Sequence, residues 1–313
     1  MIISASRRTD IPAFYSDWLL NRLRAGFALV QSPVNPHFYS RINLGPGVVD
    51  CLVFWTKNPA NLLGKLDAVT SLGHKFYFQF TLTPYGPEVE SGLPPKDELI
   101  ETFKRLSKKI GPEKVVWRCD PIILGGGFDV DYHLHNFSRL AHALSGYTER
   151  CTISFLDFYR NIKKPLEAVF AREIKNDELS RLADGFSKTA AGCGMELLTC
   201  AEPVDLGRFG IGRASCIDKG LIEKIIGCPI DAKKDQNQRP ACGCIESVDI
   251  GAYGCCPHGC VYCYANRGRE TALRRAELHD PESPALIGAP KEGDVVKERE
   301  ARSLKISQLS LFK

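Results

Sequence analysis

Near the end of the chain, eight residues carry three cysteines, Cys256-Pro-His-Gly-Cys260-Val-Tyr-Cys263, spaced C-x3-C-x2-C. Three thiols on one short loop demand a fold that shelters them together. Their thiolates can hold three irons of a four-iron cube and leave the fourth iron without a protein ligand. Such an iron can bind a small molecule, unlike the closed Cys₄ sites of electron carriers. Gly254 and Gly259 suit a backbone that wraps tightly round a metal centre. Two other readings stay open. Zinc normally wants four ligands and paired C-x2-4-C spacings, and Cys255 or His258 would have to supply the fourth. The cysteines can also be reduced, unligated thiols.

The chain has 313 residues, enough for one large α/β domain or two small ones, and its 44 % hydrophobic content readily fills a core. No apolar run approaches the roughly 18 residues that a spanning helix needs. The first residues place Arg7 and Arg8 after a short apolar run, the wrong order for a secretory signal. The expected compartment is the cytoplasm, where 13 cysteines are better explained by metal than by disulfides. A net charge of +4 is too small to indicate a nucleic-acid partner by itself.

Short β-rich runs alternate with longer amphipathic stretches, the pattern of parallel strands joined by crossover helices. Strands are expected at Ile2–Ser6, Ala28–Ser32, Cys51–Thr56, Phe76–Thr81, Val115–Cys119, Thr152–Leu156, Glu196–Cys200 and Ser247–Ile250. Helices are expected over Phe14–Leu23, Ala60–Leu72, Asp97–Ile110, Tyr132–Leu144 and Asn176–Ala191, with 33–47 as an irregular or hairpin-like insertion. The fold class is α/β, a (β/α)₈ TIM-like barrel with a C-terminal iron–sulfur cluster loop. Residues 1–205 form the barrel core, 206–280 a cysteine-rich region that completes it, and 281–313 an extended, loosely attached tail.

In such barrels chemistry sits at the C-terminal ends of the strands. Those ends carry Arg7, Arg8 and Asp10, then Lys57, then Arg118 and Asp120, and Glu202 after the seventh strand. We assign these seven as candidate catalytic residues in a shared polar pocket. The cysteine loop follows the last strand instead of the first. Because a closed barrel is circular, it can occupy the place of a loop after strand one, and the expected position is the C-terminal mouth; a separate C-terminal metal module is the alternative. A second group, Cys200, Cys216, Cys242 and Cys244, lies in coil and is a candidate Cys₄ auxiliary [4Fe–4S] centre, with Cys228 as a competing ligand. Simple burial of these thiols is the other reading. Cys51, Cys119 and Cys151 lie in strands and are expected in the core.

With Tyr262 before its last cysteine, the triad resembles the radical S-adenosylmethionine motif. Asp249-Ile-Gly-Ala-Tyr253, Tyr262-Cys263-Tyr264-Ala265-Asn266, Ser6-Arg7-Arg8-Thr9-Asp10-Ile11-Pro12, Phe54-Trp55-Thr56-Lys57-Asn58-Pro59, and Gln238-Arg239 before Cys242-Gly-Cys244 extend the likeness. Together they resemble the bacterial family called domain of unknown function 1848. That resemblance implies a barrel with a radical S-adenosylmethionine-like triad, the cysteines and Tyr262 serving the cofactor, and names no substrate. The Tyr-Cys-Tyr portion is also similar to spore photoproduct lyase. The Gly-Gly-Glu sequence that usually binds the cofactor's amino group is absent. Gly125-Gly126-Gly127 lacks the acid and reads as a flexible turn, so Glu202 or Asp120 is the expected acceptor.

The expected function is a radical S-adenosylmethionine-type [4Fe–4S] enzyme that acts on a small polar substrate and takes electrons from a donor such as flavodoxin or ferredoxin. The alternative is a non-catalytic iron–sulfur or zinc protein recruited to DNA. Gln308-Leu-Ser-Leu-Phe312 resembles the motif by which repair proteins dock on the sliding clamp.

Overall fold

Continuous apolar runs in the sequence become strands buried on both faces. The computed structural model describes residues 1–306, and Gln308–Phe312 lies outside them. Its strands are β1 Ile2–Ala5, β2 Phe27–Gln31, β3 Phe38–Asn43, β4 Cys51–Thr56, β5 Phe76–Thr81, β6 Val115–Ile122, β7 Arg150–Phe155, β8 Glu196–Cys200, β9 Gly212–Ala214, β10 Val248–Asp249 and β11 Val295–Glu298. Eight of them form one parallel sheet in the order β10-β1-β4-β5-β6-β7-β8-β9. From β1 onward the order runs one way along the chain. The long helices share one face of this sheet, an arrangement consistent with a TIM-like α/β fold.

Side-chain alternation divides the interior in two. Leu52, Phe54, Phe78, Phe80, Trp117 and Ile153 share one core cluster with the helices Lys96–Ile110, Val130–Leu144 and Asn176–Gly192. There Phe137 stacks between Trp117, 5.1 Å away, and Phe186, 4.2 Å away. The opposite face, with Ile2, Val53, Tyr77 and Val116, packs on Cys216, Ile217, Leu221 and Ile245. Cys216 follows the edge strand β9, yet its carbonyl accepts from Tyr77 Oη at 2.7 Å and from Gln79 Nε2 at 2.9 Å on β5. The sheet therefore curls round this segment. Its edges, β9 and β10, are not paired with each other among the described residues.

One expected barrel strand belongs elsewhere. The Ala28–Ser32 run pairs antiparallel with β3 and, with β11, forms a separate three-stranded sheet. The short 32–37 connection favours the hairpin over a crossover. In the main sheet β1 pairs directly with β4, and the eighth strand is β9 at the far edge, three residues without an apolar run. The expected Ala60–Leu72 helix divides at Gly64 into Ala60–Leu63 and Leu66–Ser71. Residues 281–306 are not loosely attached: Ser283 O accepts from Trp18 Nε1 at 2.9 Å, Leu304 N donates to Asp50 at 2.8 Å, and Leu286 and Leu304 are buried. A few anchors hold a stretch whose composition looked unstructured.

At the Gly125–Gly127 turn the first two glycines run close against the 169–170 backbone. All three glycines have positive φ, and a Cβ on Gly126 would lie 2.1 Å from Val169 O. No helix of the described residues is long and apolar enough to cross a membrane.

Replacing Tyr77 by Phe removes the bond to Cys216 O and strips Asp218 N of the acceptor it finds 3.2 Å away. We expect a loss of about 1–3 kcal/mol in urea unfolding; an unchanged midpoint would show that this anchor does not hold the 216–218 segment.

Candidate active site at the C-terminal edge of the sheet

Parallel strands bring all their C-terminal ends to one edge. There a cavity of about 330 Å³ is lined by Arg7, Arg8 and Asp10 after β1, Lys57 after β4, Thr81 of β5, Arg118 and Asp120 of β6 and Ser154 of β7. Cys256, Cys260 and Cys263 line it too, as do Cys200, Cys216, Cys242 and Cys244. The cysteine loop reaches this edge because β10 pairs with β1. The loops after the two strands are neighbours: Asp249 accepts from Ser6 Oγ at 2.6 Å and from Arg7 N at 2.8 Å. The cysteine loop thus lies at the C-terminal ends of the strands, the side expected for it.

Two buried carboxylates dock the loop. Asp10 accepts from Ala13 N at 2.9 Å and Lys57 N at 2.7 Å, and meets His258 Nε2 at 2.8 Å. Glu90, 1 % exposed, accepts from Lys57 Nζ and Thr83 Oγ1, each at 2.7 Å, and from Lys96 and Tyr262. Backbone pairing runs alongside, with Gly92 N donating to His258 O at 2.8 Å and Val261 N to Val89 O at 2.9 Å. A Cβ on Gly92 would come within 2.7 Å of Pro257 O, so the close approach requires glycine. Burial alone would raise the Glu90 carboxyl, but Lys57 and Lys96 outweigh it and hold it at about 2. Burial lowers both ammonium groups; Glu90 more than offsets this at Lys57, which ends raised, but not at Lys96, which ends lowered.

The cationic side of the cavity is equally constrained. Arg118 is paired with Asp120 and donates from Nη1 to Cys216 Sγ at 2.7 Å. The guanidinium groups of Arg7 and Arg118 lie 5.2 and 5.3 Å from the Trp55 ring centroid. Arg8 stands 3.8 Å from Asp249 and 4.9 Å from the Tyr253 ring. Four lining residues keep buried polar atoms without a hydrogen-bond partner among the described residues: Arg7 Nη2, Trp55 Nε1, His258 Nδ1 and Thr9 Oγ1. The first two are donors, which calls for an acceptor-rich ligand.

The cysteine triad lies on one wall of the cavity. Burial pushes all three thiols up, Cys260 to about 12. Cys255 turns away: it is buried, donates to Ala252 O at 3.2 Å and does not line the cavity. It is therefore not placed as a fourth ligand. In the second group, Cys200 Sγ and Cys216 Sγ are 3.1 Å apart. Among the described residues no three His, Cys, Asp or Glu side chains already converge as a metal-ligand group. Cys228 is half-buried and does not line the cavity, while Cys51, Cys119 and Cys151 are buried core residues as expected.

The family model described as "Domain of unknown function (DUF1848)" matches residues 2–265, from β1 through the cysteine loop. The chain belongs to this family. No curated protein matches it. Among solved structures, a protein assigned as an alpha-L-fucosidase from Bacteroides thetaiotaomicron matches with 13 % identity over 64 % of this chain and 76 % of its own. Its TM-score of 0.25 carries no argument.

In this DUF1848 protein the cavity gathers six of the seven candidate catalytic residues, Arg7, Arg8, Asp10, Lys57, Arg118 and Asp120, with Tyr262 and both cysteine groups. Glu202 is the exception: it lies beside the cavity, accepting from Phe155 N at 2.9 Å. Sequence reasoning missed Glu90, Asp249 and Trp55 as site residues. Asp249 and Trp55 lie in the family-like segments, whereas Glu90 sits in an unpatterned loop with no signal.

Substituting Glu90 by Gln leaves Lys57 and Lys96 without their counter-charge. The expected cost is about 3–5 kcal/mol in denaturant unfolding, and a loss below about 1 kcal/mol would show that the network does not hold the loop. Glu202 gives a second test. Burial raises its carboxyl to about 7, with Asp157 adding and the Phe155 N–H opposing. The folded state thus keeps a proton that the unfolded chain releases near pH 4.5, and this contribution to stability is complete below that pH and fades as pH rises through 7. In Glu202→Gln the decline between pH 5 and 7 should flatten; an identical slope in both proteins contradicts the assignment.

Proposed function

We propose that this chain is a radical S-adenosylmethionine-type enzyme. Cys256, Cys260 and Cys263 would hold a [4Fe–4S] cluster in the cavity. The observation that supports the reading is that three thiols of one loop face the same cavity as the strand-end cations and carboxylates. With S-adenosylmethionine on its open iron and an electron from a donor such as flavodoxin or ferredoxin, such a cluster supplies a 5′-deoxyadenosyl radical.

The protein's own residues do the remaining work. Asp10 and Glu90 fix the loop from two sides, so the three thiols keep one orientation towards the cavity. Arg7 Nη2 and Trp55 Nε1 are unpaired donors for a carboxylate or another acceptor-rich group, and a small polar, anionic or zwitterionic substrate fits them. Asp120, which lines the cavity, is the acceptor for an amino group; Glu202, set beside the cavity, is not needed for that role. Gly125–Gly127 does not line the cavity and takes no part.

Anaerobic reconstitution should yield about four irons and four sulfides per chain. On reduction with S-adenosylmethionine, 5′-deoxyadenosine and methionine should form. The Cys256→Ala/Cys260→Ala/Cys263→Ala variant should lose both iron and cleavage. Iron with no cleavage under reducing conditions, or no iron at the triad, would favour the alternative of a non-catalytic metal protein.

A further inference from the structure

We propose that Cys200, Cys216, Cys242 and Cys244 form a separate mononuclear site, which takes a zinc-class divalent cation through four thiolates and ties together the segments at the open edge of the sheet. The proposal is independent of the cysteine triad and of the reaction assigned to it.

The four residues come from three places. Cys200 ends β8, Cys216 follows β9, and Cys242 and Cys244 precede β10. They meet because Ser215 Oγ donates to Gly243 O at 2.8 Å and Ile245 N to Ile217 O at 3.2 Å. The sulfurs form a connected set: Cys200 touches Cys216, Cys216 interacts with Cys244, and Cys244 with Cys242. Cys216, Cys242 and Cys244 are buried, and all four line the cavity, which provides a route for a metal to enter.

Size decides which centre fits. Zinc–sulfur bonds of about 2.3 Å put tetrahedral ligand sulfurs about 3.8 Å apart. The Cys200–Cys216 separation of 3.1 Å needs only a small side-chain opening to reach that geometry. A four-iron cube interposes iron and sulfide between its ligands and spreads the thiolates much farther apart. The Cys200–Cys216 pair is thus already closer than the ligands of a four-iron cube, which fits one ion better than the auxiliary cluster expected from sequence.

The surroundings complete the argument. Four thiolates on a divalent cation carry two net negative charges. Arg118 Nη1 donates to Cys216 Sγ at 2.7 Å, and Arg7 is electrostatically coupled to Cys244 and Cys216. Ile217 N donates to Cys244 Sγ at 3.3 Å, the kind of outer hydrogen bond that orients a ligating sulfur. A disulfide between Cys200 and Cys216 would use two of the four sulfurs and leave Arg118 facing a neutral one.

The test uses the full chain. In purified protein we expect about one zinc ion per chain, kept in Cys256→Ser/Cys260→Ser/Cys263→Ser and reduced at least about tenfold in Cys242→Ser/Cys244→Ser. Because the latter variant can fail to fold, cobalt(II) is also titrated into the metal-stripped triad variant. Intense visible bands of tetrahedral cobalt with thiolate charge transfer, saturating at about one equivalent, are expected. Zinc that disappears with the triad, iron and sulfide retained by the triad variant, a metal-free quartet disulfide, or only the weak spectrum of octahedral cobalt would each overturn the proposal.

Discussion

The site depends on one buried carboxylate. Glu90 accepts hydrogen bonds from Lys57 beyond β4, Thr83 beyond β5, Lys96 at the start of a helix and Tyr262 inside the cysteine loop. Four donors, two near Glu90 in sequence and two distant, thus share one anion, and a fully buried charge tolerates that position only when its donors stay in place. Asp10 does the same from the other side through His258 and the backbone of Lys57. Between these two points, the loop that carries Cys256, Cys260 and Cys263 has little freedom to turn away from the cavity.

The winding of the sheet explains how a C-terminal motif reaches a site built mostly from the N-terminal part of the chain. β1 and then β4 to β9 are added in one direction, and β10 returns beside β1. Asp249, on β10, then hydrogen-bonds the turn after β1. Because β10 lies beside β1, a cysteine loop after β10 and the loop after β1 become neighbours at the same edge of the sheet. In the gap between the edges the chain uses side chains and the 215–217 and 243–245 segments instead of a ladder.

Much of this was legible in the residues. The runs Phe76–Thr81 and Glu196–Cys200 are strands with the expected bounds, because unbroken apolar or β-branched runs have few other places to go. The polar residues that follow the strands mark the cavity, since parallel strands bring their ends to one edge. Other features carried no local signal. The Ala28–Ser32 run has strand character, but only the nearby Phe38–Asn43 partner decides that it pairs in a hairpin. Gly212–Ala214 is a strand solely because β8 offers it an edge. Glu90 and Asp249 matter through partners more than 100 residues away, and the attachment of 281–306 rests on isolated contacts such as that of Ser283 with Trp18. Composition does not reveal contacts of that kind.

The central claim of the proposed function is that an iron cluster on Cys256, Cys260 and Cys263 would keep one corner open to a ligand. Electron paramagnetic resonance of the reduced, anaerobically reconstituted protein addresses it directly, with S-adenosylmethionine labelled in its amino nitrogen or carboxylate oxygen. The account predicts a change in the cluster signal on addition and hyperfine coupling to the labelled atom. A signal that is identical with and without the nucleotide, and without coupling, would contradict it.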